Sequence, residues 1–511
     1  MVTRTRWAVL VAAALVLSAC QPNRFVSGWI PSWQASSGRA TVQNTDVASL
    51  YIEVSLMWYG TAADGTLPLA ASKSSLDTTI GVVRAAGLPV LPTIFDSSPK
   101  GTMRAILKDP ARRAAHVSQI VNLVVSNNYD GIDLDYEVFA FSDGRTAWSE
   151  IAPNWVLFIQ SLSYELHRRG KLLMVTVPPV WTDSLGRIQG YTVYEQAKIA
   201  PYVDRLRLMV YDWSISSPGP ISPNYWQASV IAYSSKVVPP KKLQLGLPAY
   251  GRHWTDKKVS SETCPDGTTV KTVDSITMRE TAALVTASKA TPTRHSSGEV
   301  TLVWDVKVTG PTKLAPTYVP VTPTVPTLNG SATASANAER IGVPRIVTCT
   351  IRHTVYVPDG ATVKAGADRA LAAGWSGIIL WAMGYETSDV YSALGTVAQQ
   401  RAIGTPTGTL DTPAPSTGTV RLTGVAYHPE WDLPVAVRIT VTPQGGAVRE
   451  ARTVVANANR AEPAAGLGPF HGIDTTFTLP TGTYDLCATI VNWGAVLGPS
   501  IGCRSVTVTT P

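Results

Sequence analysis

Short runs of strand-forming residues recur eight times along the chain, and stretches with helical spacing separate them. The runs occupy residues 24–30, 50–59, 88–95, 129–137, 171–179, 205–213, 242–251 and 375–384. Between two of them, residues 153–170 carry apolar residues at helical spacing before a glycine stop. Alternating strands and helices are typical of a parallel sheet, and eight repeats favour a closed barrel over a doubly wound sheet. The sequence therefore predicts an α/β chain built on a (β/α)8 TIM barrel.

Two interruptions divide the 511 residues into several units, as expected for a chain too long for one core. At about 255–345 the alternation of strands and helices is lost, which predicts an insertion between the seventh and eighth strands of a barrel domain spanning 20–403. Residues 404–418 have the composition of a solvated linker. Turn-bounded alternating runs in 419–511 predict an all-β, Ig-like sandwich, for which a spacer role and a carbohydrate- or envelope-binding role are equally open.

The N-terminus has the organisation of an export signal. Two arginines precede an apolar stretch, and small residues lead to Cys20. The apolar stretch is too short for a transmembrane helix, because polar residues follow Cys20 directly. Residues 17–20 also resemble the lipobox of bacterial lipoproteins, in which the cysteine is acylated. We therefore expect residues 1–19 to be a signal peptide and the mature protein to be anchored through Cys20 to the cell membrane, outside the cytoplasm; plain secretion is the alternative.

Four cysteines remain once Cys20 is assigned to lipidation, and four cysteines allow three pairings. Chain proximity and the predicted domain boundary favour Cys264 with Cys349 and Cys487 with Cys503, because each bridge then closes a loop inside one unit.

The sequence offers no sign of a metal, a cofactor or a nucleic-acid partner. Neither a CxxC nor an HExxH motif occurs, and the histidines are not clustered. The formal charge of +7 includes Arg4 and Arg6 of the signal segment and is spread without a long basic run. We therefore expect no metal, no cofactor and no nucleic-acid partner, and the sequence says little about the oligomeric state.

Residues 129–137, YDGIDLDYE, place acidic side chains inside a predicted buried strand. Side chains alternate faces along a strand, so Asp133, Asp135 and Glu137 share one face and point into the barrel. Glu137 lies nearest the carboxyl end, where TIM barrels build their active sites. Like charges in a narrow interior raise one another's pKa, so we expect one carboxyl to keep its proton and act as a general acid. A calcium loop is disfavoured, because Val138 stands where glycine is needed; a purely structural cluster is the other alternative.

Four motifs together carry a family resemblance. Residues 130–137 resemble the DGxDxDxE signature of glycoside hydrolase family 18, and residues 209–212, 245–252 and 377–386 resemble its sixth-, seventh- and eighth-strand motifs in the same order. Within the family, the segments around the second and eighth strands are more similar to the spore-germination, cortex-lytic type of domain. The resemblance implies a retaining mechanism assisted by the substrate's own 2-acetamido group.

Roles for the catalytic residues follow from this resemblance. Glu137 is implied to protonate the departing glycosidic oxygen. Asp135 is implied to orient the acetamido N–H and stabilise the cation, with Asp133 behind it sharing a proton. Tyr211 is implied to hydrogen-bond the acetamido oxygen.

The same resemblance implies the substrate contacts. Trp381 would stack on a sugar ring, Asp212 would bind the distorted sugar, and Met209 would line the pocket floor. Trp29 and Tyr59, near other predicted strand ends, are interpreted as further substrate contacts, with ordinary core packing as an equal alternative.

These residues predict a glycosidase that hydrolyses β-linked N-acetylglucosamine glycans. Its substrate is expected to be peptidoglycan or a chitin-like polymer, with the N-glycan core also open. A lectin-like, inactive cell-surface lipoprotein is the alternative from another class, and a structural envelope protein is a third. The presence of Glu137 favours the enzyme, because family members become lectins when they lose this acid.

Replacement of Cys20 tests the expected anchor. The variant Cys20→Ser should carry no lipid, because serine offers no thiol for acylation. One acyl chain binds membranes only marginally, so firm anchoring depends on the multiple chains of a processed lipoprotein. Mass spectrometry of the N-terminal peptide should show lipid on the native protein and none on the variant. A native peptide without lipid mass would exclude the lipobox assignment.

Overall fold

The computed structural model describes most of the chain. The described residues are 25–312, 315–318, 340–343, 345–400, 406–429, 434–461, 463, 467–491 and 497–509. The predicted signal peptide and Cys20 lie outside them. Within the described residues no helix is both long and apolar enough to cross a bilayer.

Eight parallel strands close into a barrel, as the sequence predicts. The strands are β1 (Val26–Pro31), β2 (Tyr51–Gly60), β3 (Val90–Phe95), β4 (Gly131–Asp135), β5 (Leu172–Val177), β6 (Arg205–Met209), β7 (Leu243–Pro248) and β8 (Gly377–Trp381). Each strand pairs with its neighbour in the chain, and β8 closes the barrel by pairing in parallel with β1. The carboxyl ends of all eight strands therefore meet at one mouth, which is where the acidic motif ends.

Helices cover the outside of the barrel. Their bounds are Ala35–Gln43, Thr45–Ala48, Lys73–Ala85, Thr102–Lys108, Pro110–Ser126, Val138–Phe141, Trp148–His167, Gln196–Ile199, Asn224–Val237, Gly360–Ala372 and Ser388–Gln400. The helix before β4 illustrates how they begin: Asp109 accepts hydrogen bonds from the backbone N–H groups of the first turn, and Pro110 follows it. The long helix Trp148–His167 ends shortly before Gly170, which adopts a positive φ of 68°.

Strand β4 separates apolar and acidic side chains onto opposite faces. Ile132 and Leu134 are fully buried among the surrounding helices. Asp133 and Asp135 lie on the interior face, as alternation along a strand requires. The apolar side chains of the motif thus pack against the helices, and its acidic side chains line the barrel interior.

The insertion between β7 and β8 is an antiparallel sheet that extends on both sides of the predicted 255–345. Its strands lie in the spatial order Thr272–Thr277, Tyr250–Lys257, Ile346–Val357, Val300–Pro311 and Thr293–Arg294, and the helix Met278–Ser288 belongs to the same segment. A bridge between Cys264 and Cys349 ties it together, which confirms the predicted pairing. The strand Tyr250–Lys257 begins two residues after β7 ends, so the inserted sheet follows directly after the carboxyl end of β7. Short two-stranded pairings also join Ala315–Tyr318 with Arg340–Val343 and Val180–Thr182 with Ile188–Gly190.

Two four-stranded antiparallel sheets form the C-terminal part. One contains Thr407–Leu410, Thr419–Tyr427, Phe470–Thr478 and Ala458–Asn459; the other contains Glu450–Val455, Ala436–Pro443, Gly482–Val491 and Leu497–Val508. They share an apolar core, and Cys487 is bonded to Cys503 on the neighbouring strand, as predicted. Part of the predicted linker therefore forms a strand of the sandwich rather than a free connection.

Gly131 lies in β4 at a position with no room for a side chain. A Cβ there would lie 2.4 Å from the carbonyl oxygen of Leu172 in the adjacent strand. We predict that Gly131→Ala destabilises the protein by about 1–3 kcal/mol, because β4 and β5 must separate. Gly81, exposed in the helix Lys73–Ala85 with nothing within 4 Å of its added Cβ, is the matched control. Gly81→Ala should stabilise by up to about 1 kcal/mol.

Thermal and urea unfolding of the two alanine variants measures both effects. The same substitution should thus act in opposite directions at the two glycines. An unchanged or raised midpoint for Gly131→Ala would contradict the close packing of β4 on β5.

Candidate active site

Asp133 is fully buried in the barrel interior and surrounded by donors. Its Oδ2 accepts hydrogen bonds from the indole N–H of Trp29 at 2.8 Å and the hydroxyl of Thr93 at 3.0 Å. Its Oδ1 accepts from Thr176 at 2.8 Å. Nη1 of Arg207 lies 2.9 Å from Oδ2, which makes a buried ion pair. The deepest acid of the motif therefore has a cation beside it.

Arg207 was not among the residues singled out in the sequence. It is fully buried, and its guanidinium also donates to Ser55 at 2.6 Å, to Gln244 at 3.1 Å and to Glu53 at 2.9 Å. The signal was present in strand β6, where Arg207 precedes Met209 by two residues and so shares its face. The alternation rule that was applied to the acids would have placed this cation in the barrel.

Asp135 lies above Asp133 and is 6 % exposed. Its Oδ1 is buried without a hydrogen-bond partner among the described residues. Burial, and next the negative charges of Glu137, Asp133 and Asp96, hold the pKa of Asp135 well above its ordinary value. Asp135 therefore holds a proton more readily than an ordinary aspartate does.

Glu137 follows β4 at the barrel mouth and is partly exposed. Burial raises the pKa of Glu137 to about 7, and the negative charges of Asp212 and Asp96 add to the rise. A carboxyl with this pKa holds a proton in a large fraction of molecules at neutral pH, which is what a general acid requires.

Asp96 lies directly after β3 and contributes negative charge near Asp135 and Glu137. It was not among the residues predicted from the sequence. Its Oδ1 accepts hydrogen bonds from Thr61 at 2.8 Å and from the hydroxyl of Ser98 at 2.6 Å. Its backbone N–H donates to the carbonyl of Asp135 at 3.1 Å, so the ends of β3 and β4 are tied together at the site. Asp96 belongs to no motif, so only its place after a strand could have indicated it.

Asp212 is held by the insertion. It has a positive φ of 63°, which few residues other than glycine adopt. Its Oδ1 accepts from the hydroxyl of Tyr250 at 2.5 Å and from Nη2 of Arg252 at 2.7 Å. Both donors lie on the strand Tyr250–Lys257, within a motif quoted from the sequence without assigned roles. The insertion thus helps to build the site.

Tyr211 completes the group around the acids. Burial raises the pKa of Tyr211 well above its ordinary value, and the charge of Asp135 contributes next. Its ring packs edge-on against Tyr250, with centroids 6.2 Å apart. Met209, 8 % exposed, ends β6 two residues earlier. The phenol therefore stays a neutral hydrogen-bond donor close to Asp135.

Aromatic rings gather at the ends of β1 and β8. Trp381 packs edge-on against Trp29, with centroids 5.8 Å apart, and lies 6.3 Å from Trp33. Trp29 is 1 % exposed, and its N–H is used by Asp133, so it supports the site from within. Trp33 is 62 % exposed and donates to the hydroxyl of Tyr385 at 2.9 Å. Trp33 was missed, although it follows β1 by two residues.

Tyr59 does not lie with the acidic side chains of β4. A register shift between Met57 and Tyr59 pairs Tyr59 with Ile94, the residue next to the inward-facing Thr93. Its hydroxyl hydrogen-bonds that of Tyr129 at 2.8 Å, and its ring packs in the core that includes the outer helices. In the described part of the chain, no group of three or more His, Cys, Asp and Glu residues is arranged to hold a metal ion.

The barrel and its acidic mouth define a class of carbohydrate-cleaving barrel enzymes, and comparison with known proteins specifies the family. The model of glycosyl hydrolases family 18 matches residues 92–385, more than half of the chain. The protein belongs to this family.

Curated relatives are similar over part of their length. The glycosylase YvbX of Bacillus subtilis, itself described as uncharacterized, is 28% identical over 172 residues, which cover 33% of this chain and 47% of YvbX. Probable chitinase 2 of Drosophila melanogaster is 30% identical over 157 residues, 27% of this chain and 29% of the relative. The matched region thus spans less than half the length of each of these relatives.

Solved structures share the fold at low sequence identity. A chitinase of Chromobacterium violaceum superimposes with a TM-score of 0.54 at 18% identity, over 74% of this chain and 100% of that one. The spore cortex-lytic enzyme SleL of Bacillus megaterium does so with a TM-score of 0.53 at 14% identity, over 74% of each chain. Both likenesses support the barrel assignment.

Removing the charge of Asp212 should change the acidity of Glu137. Because a neighbouring negative charge disfavours the ionised carboxylate, Asp212→Asn is predicted to lower the pKa of Glu137 by roughly 1 unit. Asp305→Asn is the control, because Asp305 pairs with Arg352 on the insertion sheet. NMR titration of ¹³C-labelled glutamate, with Glu137 assigned by its loss in Glu137→Gln, measures the shift. A pKa that stays the same or rises would refute this electrostatic account.

Proposed function

We propose that the protein hydrolyses β-linked N-acetylglucosamine glycans with retention of configuration and with the substrate's 2-acetamido group as nucleophile. The observation that carries the proposal is Glu137, with its pKa raised to about 7, beside Asp135, whose pKa is also raised, at the mouth of a family 18 barrel. An acid that holds its proton near neutral pH can transfer it to a leaving group.

In the first step, Glu137 gives its proton to the glycosidic oxygen as the bond from that oxygen to the anomeric carbon breaks. The acetamido oxygen of the same sugar forms a bond to the anomeric carbon, which gives an oxazolinium ion. No enzyme nucleophile is needed, which is a recognised exception to the two-carboxylate scheme. Tyr211, a neutral donor, hydrogen-bonds the acetamido oxygen and holds it in line.

In the second step, Glu137 acts as the base. It takes a proton from water as the water oxygen attacks the anomeric carbon and the bond to the acetamido oxygen breaks. The carboxyl of Asp135, two residues before Glu137 on the same side of the motif, orients the acetamido N–H and stabilises the positive charge that develops there. Glu137 ends the cycle protonated, so the site is ready for the next substrate.

Binding of the sugar ring is assigned to the surfaces around this centre. Trp381 offers an apolar face against which a pyranose ring packs. Asp212, held by Tyr250 and Arg252, retains its second carboxylate oxygen for sugar hydroxyls. Met209 lines the floor beside them. The tie to Asp212 also makes the insertion part of the binding surface.

The substrate is proposed to be peptidoglycan or a chitin-like polymer. Similar proteins include chitinases and spore cortex-lytic enzymes, so the likenesses support both polymers. We further propose that the protein is exported and anchored through Cys20, which would place it beside the cell envelope; the support is the sequence of the N-terminus alone. A lectin-like role is less well supported, because such a role does not require the acid that Glu137 supplies.

The proposal predicts the effect of replacing the acid. Glu137→Gln keeps the shape of the side chain but removes the transferable proton, so the hydrolysis rate should fall by about 10²–10⁴-fold or more. Chitin oligomers, peptidoglycan and cello-oligomers are the substrates, with products identified by mass spectrometry. The first two contain 2-acetamido groups, whereas cello-oligomers lack them and should not be cleaved.

Folding and glycan binding should be unchanged in Glu137→Gln, as shown by its unfolding midpoint and by binding to the best substrate. Hydrolysis of that substrate at the wild-type rate by the variant would exclude Glu137 as the acid. Equal cleavage of cello-oligomers and chitin oligomers by the wild-type protein would exclude the acetamido group as nucleophile.

A further inference from the structure

We propose that a pocket on the flank of the barrel, separate from the catalytic mouth, binds one N-acetylated sugar unit. The inference rests on the proposed function, because it assigns a second site for the class of sugar that the active site is proposed to cleave. The acetamido carbonyl of the sugar is assigned to the side-chain amide of Gln196, and its hydroxyls are assigned to the carboxylate of Glu195.

A shortened helix leaves the space for this pocket. Between β5 and β6 the outer layer contains the one-turn helix Gln196–Ile199, whereas the helices on either side, Trp148–His167 and Asn224–Val237, span 20 and 14 residues. In a (β/α)8 barrel a full helix follows each strand and fills the outer layer at that place. The short helix packs against both neighbours but leaves part of the gap between them open. A pocket of about 300 Å³ remains there.

The pocket combines apolar walls with polar groups. Trp148, Val180 and Val193 supply apolar atoms, and Glu195 and Gln196 supply polar ones. Among the described residues that line it, none belongs to the candidate active site, so the pocket is a separate site. Its volume lies at the lower end of the range for small-molecule sites, about 300–1,000 Å³, which suits one sugar ring rather than a chain of them.

One buried donor in the pocket lacks an acceptor. Gln196 is 5 % exposed, and its amide nitrogen has no hydrogen-bond partner among the described residues. The amide oxygen is already used, because the hydroxyl of Ser234 donates to it at 3.4 Å. A buried polar group without a partner is unfavourable, and such groups are few in folded proteins. A ligand that brings an acceptor atom to this nitrogen satisfies it.

The charged groups around the pocket disfavour a charged ligand. Glu195 forms an ion pair with Lys198 at 3.2 Å, and the guanidinium of Arg145 lies over the ring of Trp148, 4.8 Å from its centroid. An anionic ligand would meet the carboxylate of Glu195, and a cationic ligand would meet Arg145 and Lys198. The pocket therefore favours a neutral ligand.

A neutral N-acetylated sugar carries the groups that the pocket requires. Its acetamido carbonyl accepts a hydrogen bond from the amide nitrogen of Gln196, and its hydroxyls donate to Glu195, whose carboxylate oxygens are acceptors. Its ring face and acetyl methyl pack against Trp148, Val180 and Val193. A sugar without the acetamido group keeps the hydroxyls but offers neither the carbonyl nor the methyl. The acetamido group therefore decides recognition.

The pocket adjoins a residue that supports the acidic motif. Tyr194, next to Glu195 in the chain, is fully buried, and its hydroxyl donates to the backbone carbonyl of Tyr136 at 2.7 Å. Tyr136 directly precedes Glu137, the proposed acid. When the bound unit belongs to a polymer, this second contact raises the effective concentration of that polymer at the protein. A free sugar released from the polymer offers the same chemistry to the pocket.

NMR titration with N-acetylglucosamine tests the proposal, with glucose as the control that lacks the acetamido group. Alanine labelled with ¹³C in its methyl group reports on Ala152 and Ala197, which line the pocket, and on Ala382, which follows Trp381 at the candidate active site. Each signal is assigned by its loss when that alanine is replaced by serine. N-acetylglucosamine should shift the signals of Ala152 and Ala197 saturably, in the millimolar range expected for so small a ligand, and glucose should not.

Three results would overturn the proposal: shifts confined to Ala382, equal shifts with glucose, or no shifts at all.

Two variants test the assigned contacts. Gln196→Met removes the donor and keeps the length of the side chain, so binding at the pocket should weaken by about fivefold or more. Gln160→Met is the control, because Gln160 is exposed on the helix Trp148–His167 and does not line the pocket. Thr192→Trp, at an exposed position of the lining, fills the pocket and should abolish the shifts. Unchanged binding in either Gln196→Met or Thr192→Trp would contradict the proposal.

Titration of Glu137→Gln with a chitin tetramer separates the two sources of the sugar. Shifts of Ala152 and Ala197 with both tetramer and monomer support a unit of the polymer as the occupant, and shifts with the monomer alone support a released sugar. The binding result is independent of activity. A protein that binds in the pocket but hydrolyses none of the glycans would reject the proposed function alone. One that hydrolyses chitin oligomers without shifts at Ala152 and Ala197 would reject this inference alone.

Discussion

The buried ion pair between Arg207 and Asp133 is the interaction on which the rest of the site depends. Burying an isolated carboxylate is very costly, and removing one partner of a buried pair typically costs about 3–5 kcal/mol because the other charge is left uncompensated. The guanidinium of Arg207 places a positive charge 2.9 Å from this fully buried acid. The apolar face of β4, with Ile132 and Leu134 fully buried, holds that acid in place.

The two acids nearer the mouth of the barrel lie in a different environment from Asp133. Neither Asp135 nor Glu137 forms an ion pair with a cation in the described part of the chain, and burial together with their acidic neighbours raises the pKa of each. Asp212 contributes to the rise at Glu137, and its own position is fixed from outside the barrel by Tyr250 and Arg252. The insertion is therefore coupled to the acidity of Glu137, the proposed acid.

Much of this arrangement could be predicted, because it follows from the alternation of side chains along a strand and from the order of strands and helices in the chain. Alternation places Asp133, Asp135 and Glu137 on one face, and the recurrence of strands gives the barrel and its mouth. Arg207 obeys the same rule and was missed because neither arginine of strand β6 belongs to a motif. Tyr59 was placed near the site, but a register shift in β2, invisible in the sequence, pairs it with Ile94. The inserted sheet depends on pairing between strands distant in the chain, which local pattern does not encode.

The central claim is that the acetamido group of the substrate attacks the anomeric carbon and that water then displaces it, so two inversions restore the starting configuration. Proton NMR of a chitin oligomer during the first minutes of hydrolysis, before mutarotation, measures this directly. The β-anomer of the new reducing end should accumulate first and then equilibrate with the α-anomer. Initial accumulation of the α-anomer would show a single inverting displacement and would contradict the roles assigned to Asp135 and Tyr211.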